Sequence, residues 1–333
     1  MSQLVQNALP LAAPPDLYGP IARDLEEVEG ILARTLQSRY SCIAAVVDRV
    51  GHYRGKRLRP ALLLLTACAC GRAAPAHHVL GAVVEMIHTA TLVHDDVLDG
   101  ARVRRHVSTV NAQWGNQTSV LLGDYLFTHA FHLAATTGDA RACRIIGEST
   151  NRVCEGELYQ GLEKGNLELS EDQYFDIIDG KTAELIACCC RLGALFSDAR
   201  PDVVEGMARY GRYLGLAFQI ADDLLDLIGE EQTAGKSLGS DLDQRKMTLP
   251  LIHLLQHAPL ATARRFQQIF DSPANHKRER LTPLLRESGA LEYAQRRAET
   301  FAARAQADLE CVPPSHCRTI LATLAERAVH RTS

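Results

Sequence analysis

From position 17 onward, apolar residues recur at three- and four-residue intervals, the period of a helix with one buried face. Leu25, Val28, Ile31 and Leu32 set the pattern. Residues 61–69 are apolar on every side, as in a helix surrounded by others. Residues 79–98 return to the three-four spacing, interrupted by Glu85, His88, His94, Asp95 and Asp96. Similar patterns predict helices over roughly 118–137, 140–163, 171–196, 202–228, 246–257, 291–311 and 316–330. Sustained two-residue alternation bounded by Gly/Asn turns is nearly absent, and no fixed-period repeat exists. Breakers fall at 72–75, 138–139, 165–166, 199–201, 229–239 and 272–275. Most are short, which favours antiparallel neighbours. The expectation is an all-α, single-domain chain over 17–333, preceded by a proline-containing tail at 1–16.

Composition narrows the function. The chain has 333 residues, 46% hydrophobic and 23% charged, which is globular rather than disordered. A net charge of −4 argues against a nucleic-acid partner. Positive charge is nevertheless concentrated locally, at Arg54, Lys56, Arg57 and Arg59 and at Arg102, Arg104 and Arg105. Such clusters suit small anionic ligands. The ten cysteines do not form the paired C-x-x-C pattern of a zinc site. Cys188, Cys189 and Cys190 read as small apolar residues in a reducing compartment. The N-terminal segment lacks the basic region of a secretory signal, and the apolar run 61–71 is too short to span a bilayer. A cytoplasmic protein with no membrane span is expected.

The chemistry lies in two acidic motifs of the form D-D-x-L-D, at Asp95-Asp96-Val97-Leu98-Asp99 and Asp222-Asp223-Leu224-Leu225-Asp226. On a helix, residues four apart share a face, so each motif presents two carboxylates one turn apart. Unpaired, they repel; holding a hard divalent cation turns them to use. Magnesium takes oxygen ligands and leaves positions for water and phosphate. A single motif is equally a solvated acidic face. Two copies, each ending an apolar helical stretch, fit that reading poorly.

Basic motifs supply the complement. Gly55-Lys56-Arg57-Leu58-Arg59-Pro60 places three cations in a turn before the buried helix, where they could grip a diphosphate. Arg104 and Arg105 closely follow the first acidic motif; Lys181-Thr182 lies within a helix, and Lys236 follows Gly235 after the second. Taken singly, each is equally well a solubilising surface charge. His88 lies two helical turns before Asp95 on roughly the same face, which favours a ligand role over a core histidine. For His94 the core role is favoured.

These residues resemble the trans-type isoprenyl diphosphate synthases. The motifs are GKRLRP at 55–60, HDDVLDGARVRR at 94–105, GD at 123–124, KTAEL at 181–185, FQIADDLLD at 218–226 and GKSLGSDL at 235–242. Their order and spacing cover the chain from about residue 17. The resemblance implies a bundle of long antiparallel helices around a central cavity, with the aspartate motifs facing each other across its mouth. It implies that Asp95 and Asp99 hold two magnesium ions and Asp222 a third, with Asp226 and Asp241 nearby and Asp96 and Asp223 in support. Arg104, Lys181 and Lys236 would contact an allylic prenyl diphosphate. Lys56, Arg59, His88 and Arg105 would hold isopentenyl diphosphate, with Thr182 and Gln219 beside the reacting carbons. A homodimer is implied, as is transient membrane contact when a lipid product leaves.

Two departures stand out. Arg245 occupies a position where the family often has glycine, just before Lys246, which leaves the conformation of that loop open. Arg104 and Arg105 are followed by His106-Val107-Ser108 rather than the family's more usual Gly-Lys-Pro. Product length in the family depends on what blocks the cavity below the first motif. Ala90 and Thr91 are small there, Met86 and Ile87 form the next turn, and a product longer than twenty carbons is expected. Close helix packing is the other reading of Ala90. Alternatives are a shorter product or a non-catalytic partner subunit, although such subunits tend to lose their aspartates. Terpene cyclases share the fold but usually carry an Asn/Ser/Glu second motif.

Overall fold

The helix Leu58–Cys70 has almost no polar face, and it is buried accordingly: Ala61, Leu62, Leu63, Leu64 and Leu65 are all solvent-inaccessible. The other elements are arranged around it. A computed structural model describes residues 15–51, 56–104, 107–229, 238–273 and 276–330. The expectations for Arg105, Lys236 and most of the 1–16 tail lie outside the described residues.

The principal helices in chain order are α1 (Ala22–Thr35), α2 (Ser41–Gly51), α3 (Leu58–Cys70), α4 (Pro75–Leu98) and α5 (Asn116–Ala135). Next come α6 (Ala140–Leu162), α7 (Glu171–Ile178), α8 (Glu184–Leu195) and α9 (Pro201–Ile228). The chain ends with α10 (Leu249–His257), α11 (Leu260–Phe270), α12 (Lys277–Glu287), α13 (Ala290–Asp308) and α14 (His316–Val329). Local chemistry sets several starts. Pro75 and Pro201 stand at the first position of α4 and α9, where no intrahelical N–H is needed. Ser170 and Gln173 cap α7 reciprocally, at 3.2 and 2.9 Å.

α3 packs against α1, α4, α8 and α14, and α9 packs against both α8 and α13. One core gathers Leu62, Leu64, Val84, Leu192, Tyr210 and Leu324. A second gathers Ile220, Leu224, Leu251, Phe266, Phe270 and Ala298. α9 contributes to both, which ties the C-terminal helices to the bundle. The three consecutive cysteines are buried within α8 and unpaired, in line with the apolar reading. Among the described residues, no helix is long and apolar enough to cross a membrane.

One small ribbon departs from the all-helical expectation. Val103–Arg104 pairs antiparallel with Val107–Ser108, register Val103 to Ser108 and Arg104 to Val107. Strands of two residues are too short for alternation to reveal them in sequence.

Candidate active site

Asp95, Asp96 and Asp99 lie at the C-terminal end of α4, and Asp222, Asp223 and Asp226 in the last two turns of α9. The six carboxylates have distinct environments. Burial pushes the Asp95 carboxyl up to about 6; nearby Lys181 and Arg104 oppose this, while Glu157 and Asp99 add to it. Asp96 is almost wholly buried and accepts from Arg104 Nε at 2.8 Å, which fixes the ribbon against the end of α4. The Asp96 carbonyl also accepts from Ala101 N at 2.9 Å and Asn111 Nδ2 at 3.1 Å.

Lys181 and Thr182 sit on a π-helical turn, Asp179–Ala183, inserted between α7 and α8. Such turns break the regular ladder and often mark functional positions. Close approach by α6 makes room for it: a Cβ on Gly156 would lie 2.5 Å from the Lys181 backbone nitrogen. Lys181 Nζ reaches Glu157 Oε2 at 2.5 Å and donates to Gln160 Oε1 at 2.9 Å. Burial alone would lower its pKa, but Glu157 and Asp95 outweigh it and the net shift is upward, so the ammonium stays charged. Sequence reasoning missed Glu157 and Gln160. Their spacing of three on α6 put them on one face, but nothing in the chain marked which neighbour that face would meet.

Behind Thr182 runs a continuous hydrogen-bond chain. Thr182 Oγ1 donates to Gln219 Oε1, Gln219 Nε2 donates to Asp223 Oδ1, and the Tyr174 hydroxyl donates to Asp223 Oδ2, each at 2.7 Å. Asp223 and Tyr174 are buried. Burial and the neighbouring Asp241 raise the Asp223 carboxyl well above the usual range, against the pull of the two hydrogen bonds. Tyr174 is a third residue that the sequence reading missed.

Asp226 faces a loop. Its side chain is solvent-inaccessible and accepts from Ser240 Oγ at Oδ1 and from Asp241 N at Oδ2, both at 3.1 Å. Its carbonyl accepts from Gly239 N at 3.0 Å. Asp226 therefore sets the position of Asp241. Lys246 Nζ then stands 3.6 Å from Asp241 Oδ1 and 3.8 Å from Asp99 Oδ1, which brings the first motif and the loop after the second to a common point. Arg245, in the position where glycine was expected, has φ of 58°, a left-handed conformation. Asp271 Oδ1 at 2.8 Å and the Phe270 ring at 4.9 Å hold its guanidinium, and Gly165 N donates to its carbonyl at 2.8 Å.

The basic turn divides its labour. Lys56 and Arg59 are half-buried at the start of α3. Arg57 is directed away from the ligand role open to it in the sequence: it pairs with Glu29 and with Glu85 Oε1, the latter at 2.7 Å. His88 is half-buried two turns before Asp95. His94 lies with Nε2 3.1 Å from the Val120 carbonyl and its ring beside Phe127, in keeping with a packing role. Of the positions expected to govern product length, Met86 and Ile87 are buried in the central core. Ala90 is buried in one cluster with Val47, Val50, Leu122 and Leu126; Thr91 is half-buried, its hydroxyl donating to the His88 carbonyl at 2.8 Å.

No group of three or more His, Cys, Asp or Glu side chains among the described residues is close enough to hold a metal by itself. Pairs of carboxylates suffice for magnesium, which keeps waters and substrate phosphates in its shell. The residues fit: the donors are hard oxygens, Asp95 is crowded by like charge, and an ammonium group already stands between Asp99 and Asp241.

The polyprenyl synthetase family profile matches residues 41–287. Octaprenyl diphosphate synthase of Escherichia coli is 35% identical over 311 residues, covering 92% of this chain and 96% of that protein. The crystal structure of a decaprenyl diphosphate synthase from Rhodobacter capsulatus superposes with a TM-score of 0.89 at 35% identity, covering 96% of this chain and 99% of the other. A polyprenyl synthase from Caulobacter crescentus, complexed with calcium and isoprenyl diphosphate, also gives 0.89 at 35% identity, covering 95% and 97%. With a profile match over most of its length and relatives aligned nearly end to end, the chain belongs to the polyprenyl synthetase family of prenyltransferases.

Proposed function

We propose that this enzyme condenses isopentenyl diphosphate with an allylic prenyl diphosphate and repeats the step to an all-trans product longer than twenty carbons. The reading rests above all on the approach of Lys246 to both Asp99 and Asp241. That approach puts carboxylates from two parts of the chain within reach of one diphosphate. Product length is supported by the octaprenyl and decaprenyl synthases among its relatives.

In this reading Asp95, Asp99 and Asp222 hold up to three magnesium ions, with Asp226 placing Asp241 beside them. Bound magnesium would neutralise charge on the departing diphosphate. Lys181, kept cationic by Glu157, faces the same group together with Arg104 and Lys246. Breaking the allylic carbon–oxygen bond leaves an allylic cation. The Thr182 hydrogen is committed to Gln219, so the hydroxyl oxygen presents lone pairs rather than a proton to electron-poor carbon. Lys56, Arg59 and His88 hold isopentenyl diphosphate, whose double bond forms the new carbon–carbon bond; a proton then leaves to the released pyrophosphate. A dry site protects the cation from water.

The enzyme would act in the cytoplasm and meet a membrane only as its lipid product leaves. It would work as a homodimer through α5 and α6, where Val120, Leu121, Leu158 and Leu162 are exposed. The test supplies purified protein with magnesium, labelled isopentenyl diphosphate and farnesyl diphosphate, and sizes the dephosphorylated products by mass spectrometry. A ladder ending beyond twenty carbons is expected. A shorter endpoint removes the long-chain assignment, and no incorporation by folded protein with any allylic primer removes the activity.

A further inference from the structure

Arg57 lies between two cations assigned to substrate, yet it is not available to a substrate itself. Its Nε pairs with Glu29 Oε1, its Nη2 donates to Glu29 Oε2 at 3.1 Å, and its Nη1 donates to Glu85 Oε1 at 2.7 Å. All three guanidinium nitrogens are engaged with carboxylates. Arg57 also holds a left-handed backbone, φ 51° and ψ 35°, at the N-cap of α3. Its carbonyl accepts from Ala61 N at 2.9 Å and so opens the helix. A non-glycine residue keeps such a conformation only when its surroundings impose it.

The partners show what is being imposed. Glu29 is on α1 and Glu85 on α4. Glu85 is buried, and its backbone carbonyl accepts from Thr89 Oγ1 at 2.7 Å. His88 follows Glu85 by three residues, one turn along the same face. The Arg57–Glu85 pair therefore links the turn carrying Lys56 and Arg59 to the stretch of α4 carrying His88. These three residues reach the site from two separate segments, and their relative register depends on how those segments are joined.

We propose that Arg57 is a positioning residue. Clamped by Glu85 and Glu29, it sets the spacing between Lys56, Arg59 and His88 and thereby the affinity for the diphosphate of isopentenyl diphosphate, the one held by side chains rather than through metal. This rests on the assignment of those three residues to that substrate under the proposed function. The allylic diphosphate, gathered at the aspartate motifs, depends on none of these contacts.

The test compares wild type with Arg57→Lys and with the double variant Arg57→Gln/Glu85→Gln, which removes both charges and so leaves no unpaired buried carboxylate. Each KM is measured with the other substrate saturating. For the double variant, the KM for isopentenyl diphosphate should rise at least about tenfold, with the allylic KM and kcat within about threefold. Arg57→Lys, which offers a point charge but no fork, should fall between. A lowered melting temperature with both KM values unchanged, or both rising together, overturns the positioning role while the activity stands. A wild-type protein that incorporates no isopentenyl diphosphate overturns the proposed function and this inference with it.

Discussion

The phenolic oxygen of Tyr174 lies 2.7 Å from Asp223 Oδ2, and through that carboxylate it fixes Gln219, one turn earlier on the same face of α9. Asp223 Oδ1 holds Gln219 Nε2, so the Gln219 amide has one orientation and Thr182 donates to its oxygen. Tyr174→Phe removes a bond to a buried carboxylate without changing the ring. It should lower kcat about tenfold, equivalent to about 1.4 kcal/mol of transition-state stabilisation, and leave both substrate KM values within about twofold. Steady-state kinetics with each substrate varied checks this. A KM effect with unchanged kcat would place Tyr174 in binding rather than in orienting Thr182.

The metal-free protein should lose stability as pH rises through the titration of Asp95. Its folded pKa of about 6 lies above the reference value of 3.8. Between roughly pH 4 and 6 the folded state therefore holds a proton that the unfolded state has released. The stabilisation is complete below the lower value and lost above the upper one, on the order of 3 kcal/mol. Thermal melts in chelator at pH 5 and pH 7 should show the loss; Asp95→Asn should reduce it, leaving the part contributed by the buried Asp223 carboxyl, which is also raised. Magnesium with a diphosphate should also diminish it, since bound cations compensate the buried charge; a slope indifferent to them would separate Asp95 from the metal.

The elements whose chemistry is local were legible in the sequence. The paired aspartates announce themselves because two carboxylates one turn apart at the end of an apolar stretch have few uses. The burial of α3 follows directly from its missing polar face. Residues defined by long-range partners were not legible. Arg57 is indistinguishable in sequence from Lys56 and Arg59 until Glu29 and Glu85, from two other helices, claim it. Tyr174 reads as one apolar position in a helix until Asp223 reaches it from α9. Ala90 was ambiguous for a related reason: a small residue marks open space and close packing equally, and its burial in one cluster with Val47 and Leu122 depends on helices distant in the chain.

Arg245 tests how a non-glycine residue is held in a left-handed conformation. At φ 58° a Cβ is strained, and the Asp271 pair and the Phe270 ring oppose that strain. Arg245→Ala keeps the Cβ and loses both contacts, so it should destabilise by about 1–2 kcal/mol. Arg245→Gly loses the same contacts but relieves the backbone, and should lie within about 1 kcal/mol of wild type. Chemical denaturation of the two variants checks the order. An alanine variant as stable as the glycine one would mean that the backbone carries no strain there.

Product length should respond to Thr91 more cleanly than to Ala90. Thr91 precedes Asp95 by four residues, one turn down the same face of α4, and is half-buried. Ala90 points into the packed group of Val47, Val50, Leu122 and Leu126. A bulky residue at 90 must displace these side chains, and such overpacking typically costs about 1–3 kcal/mol. Ala90→Phe should therefore lower the melting temperature whatever it does to the product. Thr91→Phe should shorten the product by several isoprene units with a small stability change, because its ring would extend below the Asp95 carboxylate instead of into the core. Mass spectrometry of the dephosphorylated products, alongside thermal melts, distinguishes the two. An unchanged ladder in Thr91→Phe would direct the growing chain past another face of α4.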